Sequence, residues 1–472
     1  MSQVSLFAQR LRDALGRWWP AAWRFVLLAS GAALSSYLIL DRGLRNGVIS
    51  AVIIGLLVIG AALMPRLPLA IALLATPGLI VVQRVGLGGT DLTVSDVALA
   101  AAFGSAALFG TYPLSRPMKQ LLGLNLVYQF ATLLTVIINP FAQNTVEWFH
   151  AWLLISGALL VGWALGRAGL AHAAFGLLIG ALLVVAVGVL VTAVLTFAQG
   201  QFVGIAPRWP LPMHKNAGGD LLAIGAVVAL VNPRWAGWSD GVARLAFWTL
   251  TIAVVLTQSR QAIIGLVVAV LVVTLRRGAS RRSRLILLLV LPALWFVGSM
   301  VMDQIESGNR FNSYYVRVEW MQEVYALWKH APIFGHGLRY WYVHEWALFQ
   351  PPQGELEVLA SAGVVGLLAF LLMWVGFIVV LWRVDPRFGT LAVAAVLSRI
   401  AQAQFDLFWV AAQVSVPFMV AGVCLGAQAL FAKERSVDRQ ADELAWSIRP
   451  DGRHAVRAGS GKTLGEGADG TA

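Results

Sequence analysis

Between Asp303 and Glu357 the chain gathers the side chains that move protons and contact sugars: seven of its 23 acids, three of its seven histidines and twelve aromatic residues. His336, His344, Glu355 and Glu357 are the candidate bases there, a glutamate qualifying where burial disfavours its charged form. Arg260, in Thr257-Gln258-Ser259-Arg260, stands between two apolar runs, where an arginine costs about 2.5 to 3.5 kcal/mol near mid-bilayer. Its planar fork of donors suits diphosphate oxygens, although a snorkelling helix-end arginine is the plain alternative. Arg208 lies in Pro207-Arg208-Trp209-Pro210, and His214, Lys215 and Asn216 follow at the mouth of a helix expected from Ala217. Basic groups at a helix N-terminus make an anion site, or merely a solvated cap. Arg399, Gln402 and Asp406 share one helical face at i, i+3 and i+7, to shape a polar cavity or form an internal Arg–Asp pair.

These residues need a scaffold, and composition says which kind. A hydrophobic fraction of 59% with only 12% charged residues lies outside the soluble range and indicates an all-α, polytopic integral membrane helix bundle. About fourteen apolar segments approach the ~20 residues that cross a bilayer, centred near Leu28, Leu56, Leu73, Ala102, Leu124, Ile155, Val185, Gly225, Thr249, Val267, Val290, Leu368, Ala394 and Val416. Alternate connections collect the positive charge, above all the five arginines between Arg276 and Arg284. Both termini are therefore expected in the cytoplasm. The run Leu245 to Leu275 is read as two spans, because one span would put those five arginines outside.

On this topology Gln201 to Asn216, the Ser259-Arg260 turn, the 303–357 loop and Gln402 to Asp406 share the extracytoplasmic face. Within the loop, Val316, Trp320, Val324, Leu327 and Trp328 recur at helical spacing after Asn312 or Ser313, which predicts an amphipathic helix on the membrane face. Arg317 lies off that stripe, placed either for function or to pair with Glu319 or Glu323. Most of the loop's aromatic residues read as interfacial anchors. The expected organisation is a cytoplasmic segment 1–21, transmembrane helices over 22–199, a membrane domain 200–431 containing the 303–357 loop, and a disordered cytoplasmic tail 432–472.

The charge of +12 sits at membrane boundaries and points to anionic lipids, not to nucleic acid. One cysteine, Cys424, allows no disulfide within the chain. Metal-ligand spacings and nucleophile elbows are absent, so no cofactor is expected, and Gly459-Ser-Gly-Lys-Thr463 lacks the first glycine and preceding strand of a phosphate loop.

Taken in order, several of these segments resemble the O-antigen ligase and polymerase family of bacterial membrane glycosyltransferases. They are His214-Lys215-Asn216 after Arg208, Thr257-Gln258-Ser259-Arg260, Arg317 in Tyr-Val-Arg-Val-Glu-Trp, His330-Ala-Pro-Ile-Phe-Gly-His-Gly337, and Leu356-Glu-Val-Leu-Ala-Ser-Ala-Gly363. The likeness covers about Leu170 to Leu381. It implies glycan transfer from a polyprenyl-diphosphate donor to a hydroxyl of a glycan or glycolipid acceptor, outside the cytoplasmic membrane and without nucleotide sugar or metal. Arg208, His214, Lys215, Arg260 and Arg317 would hold the diphosphate. Family members place a His-Asn pair before the Leu-Glu that starts the next helix; Pro352 and Gln353 stand there instead. The polar loop then reads as a lid and acceptor platform over an arginine-lined cavity. A repeat-unit polymerase and a lipid-linked oligosaccharide flippase are the competing readings.

Overall fold

The computed structural model describes residues 69–84, 92–110, 113–277, 313–343 and 350–447, with single positions between 292 and 306. Among the described residues the fold is helical: α1 Val94–Phe109, α2 Arg116–Ile138, α3 Ala142–Trp152, α4 Ala158–Arg167, α5 Ala171–Ala198, α6 Lys215–Val231, α7 Asp240–Thr257, α8 Arg260–Arg277, α9 Ser313–His330, α10 Gly354–Arg383, α11 Pro386–Gln402 and α12 Ala411–Ser447. A π turn, Leu153–Gly157, joins α3 to α4. Starts are set locally, Thr93 with Asp96 making a capping box before α1, and Ser115, Ser239 and Asp385 capping α2, α7 and α11.

Six stretches among the described residues are long and apolar enough to cross a membrane: α2, α3 with α4, α5, α7, α10 and the first part of α12. The 17- and 18-residue helices α6, α8 and α11 pack between them, α8 against α11 and α6. Among the described residues six of the fourteen expected spans are met by this measure. Near Leu73 only Ala70–Leu74 is α-helical before Pro77 and Gly78 tighten the chain into a 3-10 turn, while the segments at Leu28 and Leu56 and most of that near Val290 lie outside the described residues. The division of 245–275 does appear, because Gln258 takes a left-handed conformation (φ 51°) that ends α7. Helix α12 runs on to Ser447, so helix covers the start of the segment expected to be a tail, and residues 431–447 belong to a second unit.

Apolar helices in lipid gain little from burying more apolar surface, so close backbone approach must hold them together. Gly162 and Gly166 on α4 meet Gly422 and Gly426 on α12 in reciprocal Gly-x-x-x-Gly register. A Cβ on Gly162 would stand 2.0 Å from Met419 O, and one on Gly422 would stand 2.3 Å from Leu159 O.

The alternate connections separate to two ends. At one, which is rich in arginine, Arg276 bonds Leu381 O and Val384 O, Arg167 bonds Ala429 O, and Trp235 bonds Arg387 O. At the other, Ile205 N bonds Leu256 O, Gly354 N bonds Ala403 O, and Gln83 bonds Pro212 O. That second end carries the site.

Helix α10 is broken there. Gly363 (φ 66°, ψ −166°) kinks it and frees backbone groups that the helix would otherwise satisfy. Residues 332–337 take them up, with His336 N and Gly337 N donating to Ala360 O and Ser361 O while Val364 N and Val365 N donate to Pro332 O and Ile333 O. Helix α2 pins the same segment through Thr135 Oγ1 on Phe334 O at 2.8 Å and Asn139 on Gly335 O. Residues 332–337, part of the loop expected as a lid, are thus stitched into a helix, each partner satisfying backbone groups that the other leaves unpaired.

Candidate functional site

The site is built around the turn 403–410, which follows α11 and faces the N-terminus of α10. Gln353 caps α10 by accepting from Leu356 N at 2.8 Å. The Gln353 amide also bonds Glu355 Oε2, and Gln404 donates to Glu355 Oε1 at 2.7 Å. Glu355 is therefore a tie between helix and turn. Two residues on, Glu357 is buried, with Oε1 accepting from Gln350 at 2.7 Å and Oε2 from Phe408 N at 2.9 Å. Among the described residues no cation is in ion-pair contact with it.

Behind the turn lies a buried polar centre. Asp220 on α6 accepts from Gln261 at 2.8 Å and from Gln413, and faces Arg399 Nη1 at 3.7 Å. Gln261 also donates to Asp406 Oδ2 at 2.6 Å, so one amide bridges two carboxylates. Arg399, fully buried, gives Nη2 to Leu407 O and, at 2.6 Å, to Phe408 O.

On the outer side of the turn, Arg317 donates to Phe405 O at 2.9 Å and stands over the Phe405 ring. Burial pulls its guanidinium below the usual arginine range, Asp406 draws it back up and neighbouring Arg260 lowers it further. Burial lowers Arg260 as well, so two partly desolvated cations contribute positive potential at this end of the bundle. Lys215 approaches the end of α7 beside Arg260, since a Cβ on Gly204 would sit 2.7 Å from Thr257 O and 3.4 Å from Lys215 Nζ.

A cavity of about 460 Å³ opens beside Glu357. Tyr128 and Trp409, stacked at 5.3 Å, line it together with His214, Gln350, Glu357 and Tyr342. Its far wall is a closed ion cluster, in which His150 Nε2 meets Asp96 at 2.9 Å, His150 Nδ1 meets Glu147 at 3.3 Å, and Arg339 Nε meets Glu147 at 2.7 Å. Tyr128 lies ten residues before the end of α2, which puts the cavity floor about 15 Å below that end.

A broken apolar helix patched by a loop, flanked by arginines and a buried glutamate, is a site built inside a membrane bundle. Residues 245–371 match the family model described as O-antigen ligase. No curated protein matches the chain. The match suggests glycan transfer of the kind used in cell-surface polysaccharide biosynthesis, and the six long apolar helices suggest a multi-pass membrane protein.

The matched residues 245–371 supply Arg260, Arg317, the patching segment, Glu355 and Glu357. Residues outside it complete the site: His214, Asp220, Arg399, Asp406 and the His150 cluster. Of the three candidate bases among the described residues, only Glu357 lines the cavity. His336 gives Nε2 to Leu327 O at 2.8 Å and packs on Tyr340, which makes it part of the patch, and His344 lies outside the described residues. Of the cationic set, His214 caps α6, which begins at Lys215 and not at Ala217, and lines the cavity. Arg208 is exposed and not among the cavity-lining residues. Arg317 meets the turn 403–410 and not Glu319 or Glu323. Asp406 lies beyond the end of α11, yet still joins Arg399 and Gln402 around Asp220. Sequence reasoning passed over Asp220 and the Glu147–His150 pair. An acid inside the apolar run of α6, and an acid and histidine at i, i+3 in α3, were signal enough, because ionisable groups inside spans are rare and costly.

Proposed function

We propose that the protein transfers a glycan from a polyprenyl-diphosphate donor to an acceptor hydroxyl at the extracytoplasmic face of the cytoplasmic membrane, with Glu357 as the base. Arg260, Arg317, Lys215 and Arg208, which lie beyond the lining of the Glu357 cavity, hold the diphosphate as fixed positive charge at its margin, and His214 lines the cavity itself. The acceptor oxygen attacks the anomeric carbon, the bond from that carbon to the diphosphate oxygen breaks, and the proton of the hydroxyl passes to the Glu357 carboxylate. The diphosphate leaves on its lipid, neutralised by the arginines, and no metal is called for.

The observation that carries this reading is the position of Glu357. It is buried and fixed by Gln350 and by Phe408 N–H, and it faces a cavity whose other carboxylates are already bonded to His150 and Arg339. A carboxylate oxygen has lone pairs beyond the single bond each accepts here, so proton acceptance stays open. Glu357→Gln should lower transfer by about 100-fold or more, the usual worth of a positioned base, while Glu355→Gln should retain most activity once folded. Surface glycan and accumulated lipid-linked donor, compared at matched protein levels, read the outcome. Full glycan attachment in Glu357→Gln cells would remove the glutamate from the mechanism.

A further inference from the structure

The turn 403–410 contains a connection that runs through one peptide bond. Arg399 Nη2 donates to Leu407 O, and the N–H of that same peptide unit, on Phe408, donates to Glu357 Oε2 at 2.9 Å. Arg399 is itself oriented by Asp220 at 3.7 Å, which in turn is fixed by Gln261 and Gln413. Arg399 and Asp220 are fully buried and do not line the cavity, so neither touches a substrate there. Their cost is evident: Arg399 Nε and Nη1 and Asp220 Oδ1 are buried without a hydrogen bond. A pair kept at that cost needs a task.

We propose that Arg399, anchored by Asp220, is a positioning residue for the base: it orients and polarises the Leu407–Phe408 peptide so that its N–H holds Glu357 Oε2 in place. A cation on the carbonyl oxygen draws electron density across the amide and strengthens the N–H as a donor, as hydrogen bonds in series do in a low-dielectric interior. The same cation grips Phe408 O at 2.6 Å, and Arg317 grips Phe405 O at 2.9 Å, so two arginines hold the turn at its carbonyls while it presents one amide to the glutamate. The acceptor's proton still goes to the Glu357 carboxylate, and Arg399 transfers nothing. This role rests on Glu357 being the base.

The test uses the full-length protein in proteoliposomes, supplied with polyprenyl-diphosphate-linked glycan extracted from cells that lack it. Removing one partner of a buried pair leaves the other uncompensated and can unfold the chain. Arg399→Gln is therefore compared with the double change Asp220→Asn/Arg399→Gln, which removes both charges together, and the thermal midpoint of each purified variant reports its folding. The folded double variant should lose about tenfold in kcat, the scale of one weakened charge-assisted hydrogen bond, with KM for the donor within about twofold. A wild-type kcat in that variant would overturn the role. So would a raised KM at unchanged kcat, which would make Arg399 a donor-binding group. Glu357→Gln separates the two levels: if it stays active the assignment of the base fails, and if it is inactive while the double variant turns over normally only the relay fails.

Discussion

Single residues divide here into those that hold charge and those that hold shape. Arg260 and Arg317 are of the first kind, and replacing either by Ala should raise KM for a lipid diphosphate donor by about tenfold or more, the scale of a charge-assisted bond. Titration of donor in proteoliposomes checks this, and an unchanged KM would place the diphosphate elsewhere. Arg260 is legible in sequence because an arginine between apolar runs is expensive wherever it stands. Glu357 is only partly legible, since four candidate bases share its loop, and burial and bonding separate them after folding. Glu355, two residues away, spends both carboxylate oxygens on glutamine amides. Asp220 went unread for a different reason. Its neighbours in sequence are small and apolar, and its partners Gln261, Arg399 and Gln413 come from three other places in the chain.

At the scale of elements, the broken helix α10 is the part that sequence reading described least well. The two segments that mate there, around Gly335 and Gly363, are each recognisable, but nothing local says that one repairs the other. A Cβ on Gly363 would stand 2.3 Å from Ile333 O, and its φ and ψ belong to a region that only glycine occupies readily. Gly363→Ala should therefore destabilise the protein by about 3 kcal/mol or more, summing backbone strain of about 1 to 3 kcal/mol with the clash. A lower thermal midpoint in detergent, together with lost transfer, is the expected result. A normal midpoint would show that the kink relaxes without cost. The amphipathic helix α9, by contrast, is plain from spacing alone, and in the structure Val324 is buried while Met321 and Tyr325 remain exposed.

In the molecule as a whole, the buried charges of the site gather toward one end. Asp220 lies five residues into α6 and Arg399 three residues before the end of α11, or about 7 Å and 5 Å along their helices. A path for carrying a lipid-linked glycan across the bilayer would need such groups along its whole length, so this distribution favours transfer over flipping. Sidedness is checked by cysteine labelling, because the chain's one cysteine, Cys424, is fully buried and should give little background. A cysteine at Trp209 should react with an impermeant reagent in intact cells, and one at Gly241 only after the membrane is opened. The reverse pattern would put the site in the cytoplasm. The mended break in α10 also constrains how a substrate gets in. Swinging residues 332–337 aside would strip the partners from four backbone groups of α10 and as many in the segment itself, at about 1 to 3 kcal/mol for each that stays buried. The segment is accordingly a fixed wall of the site, and on the proposed function a lipid-linked donor is expected to enter past another edge.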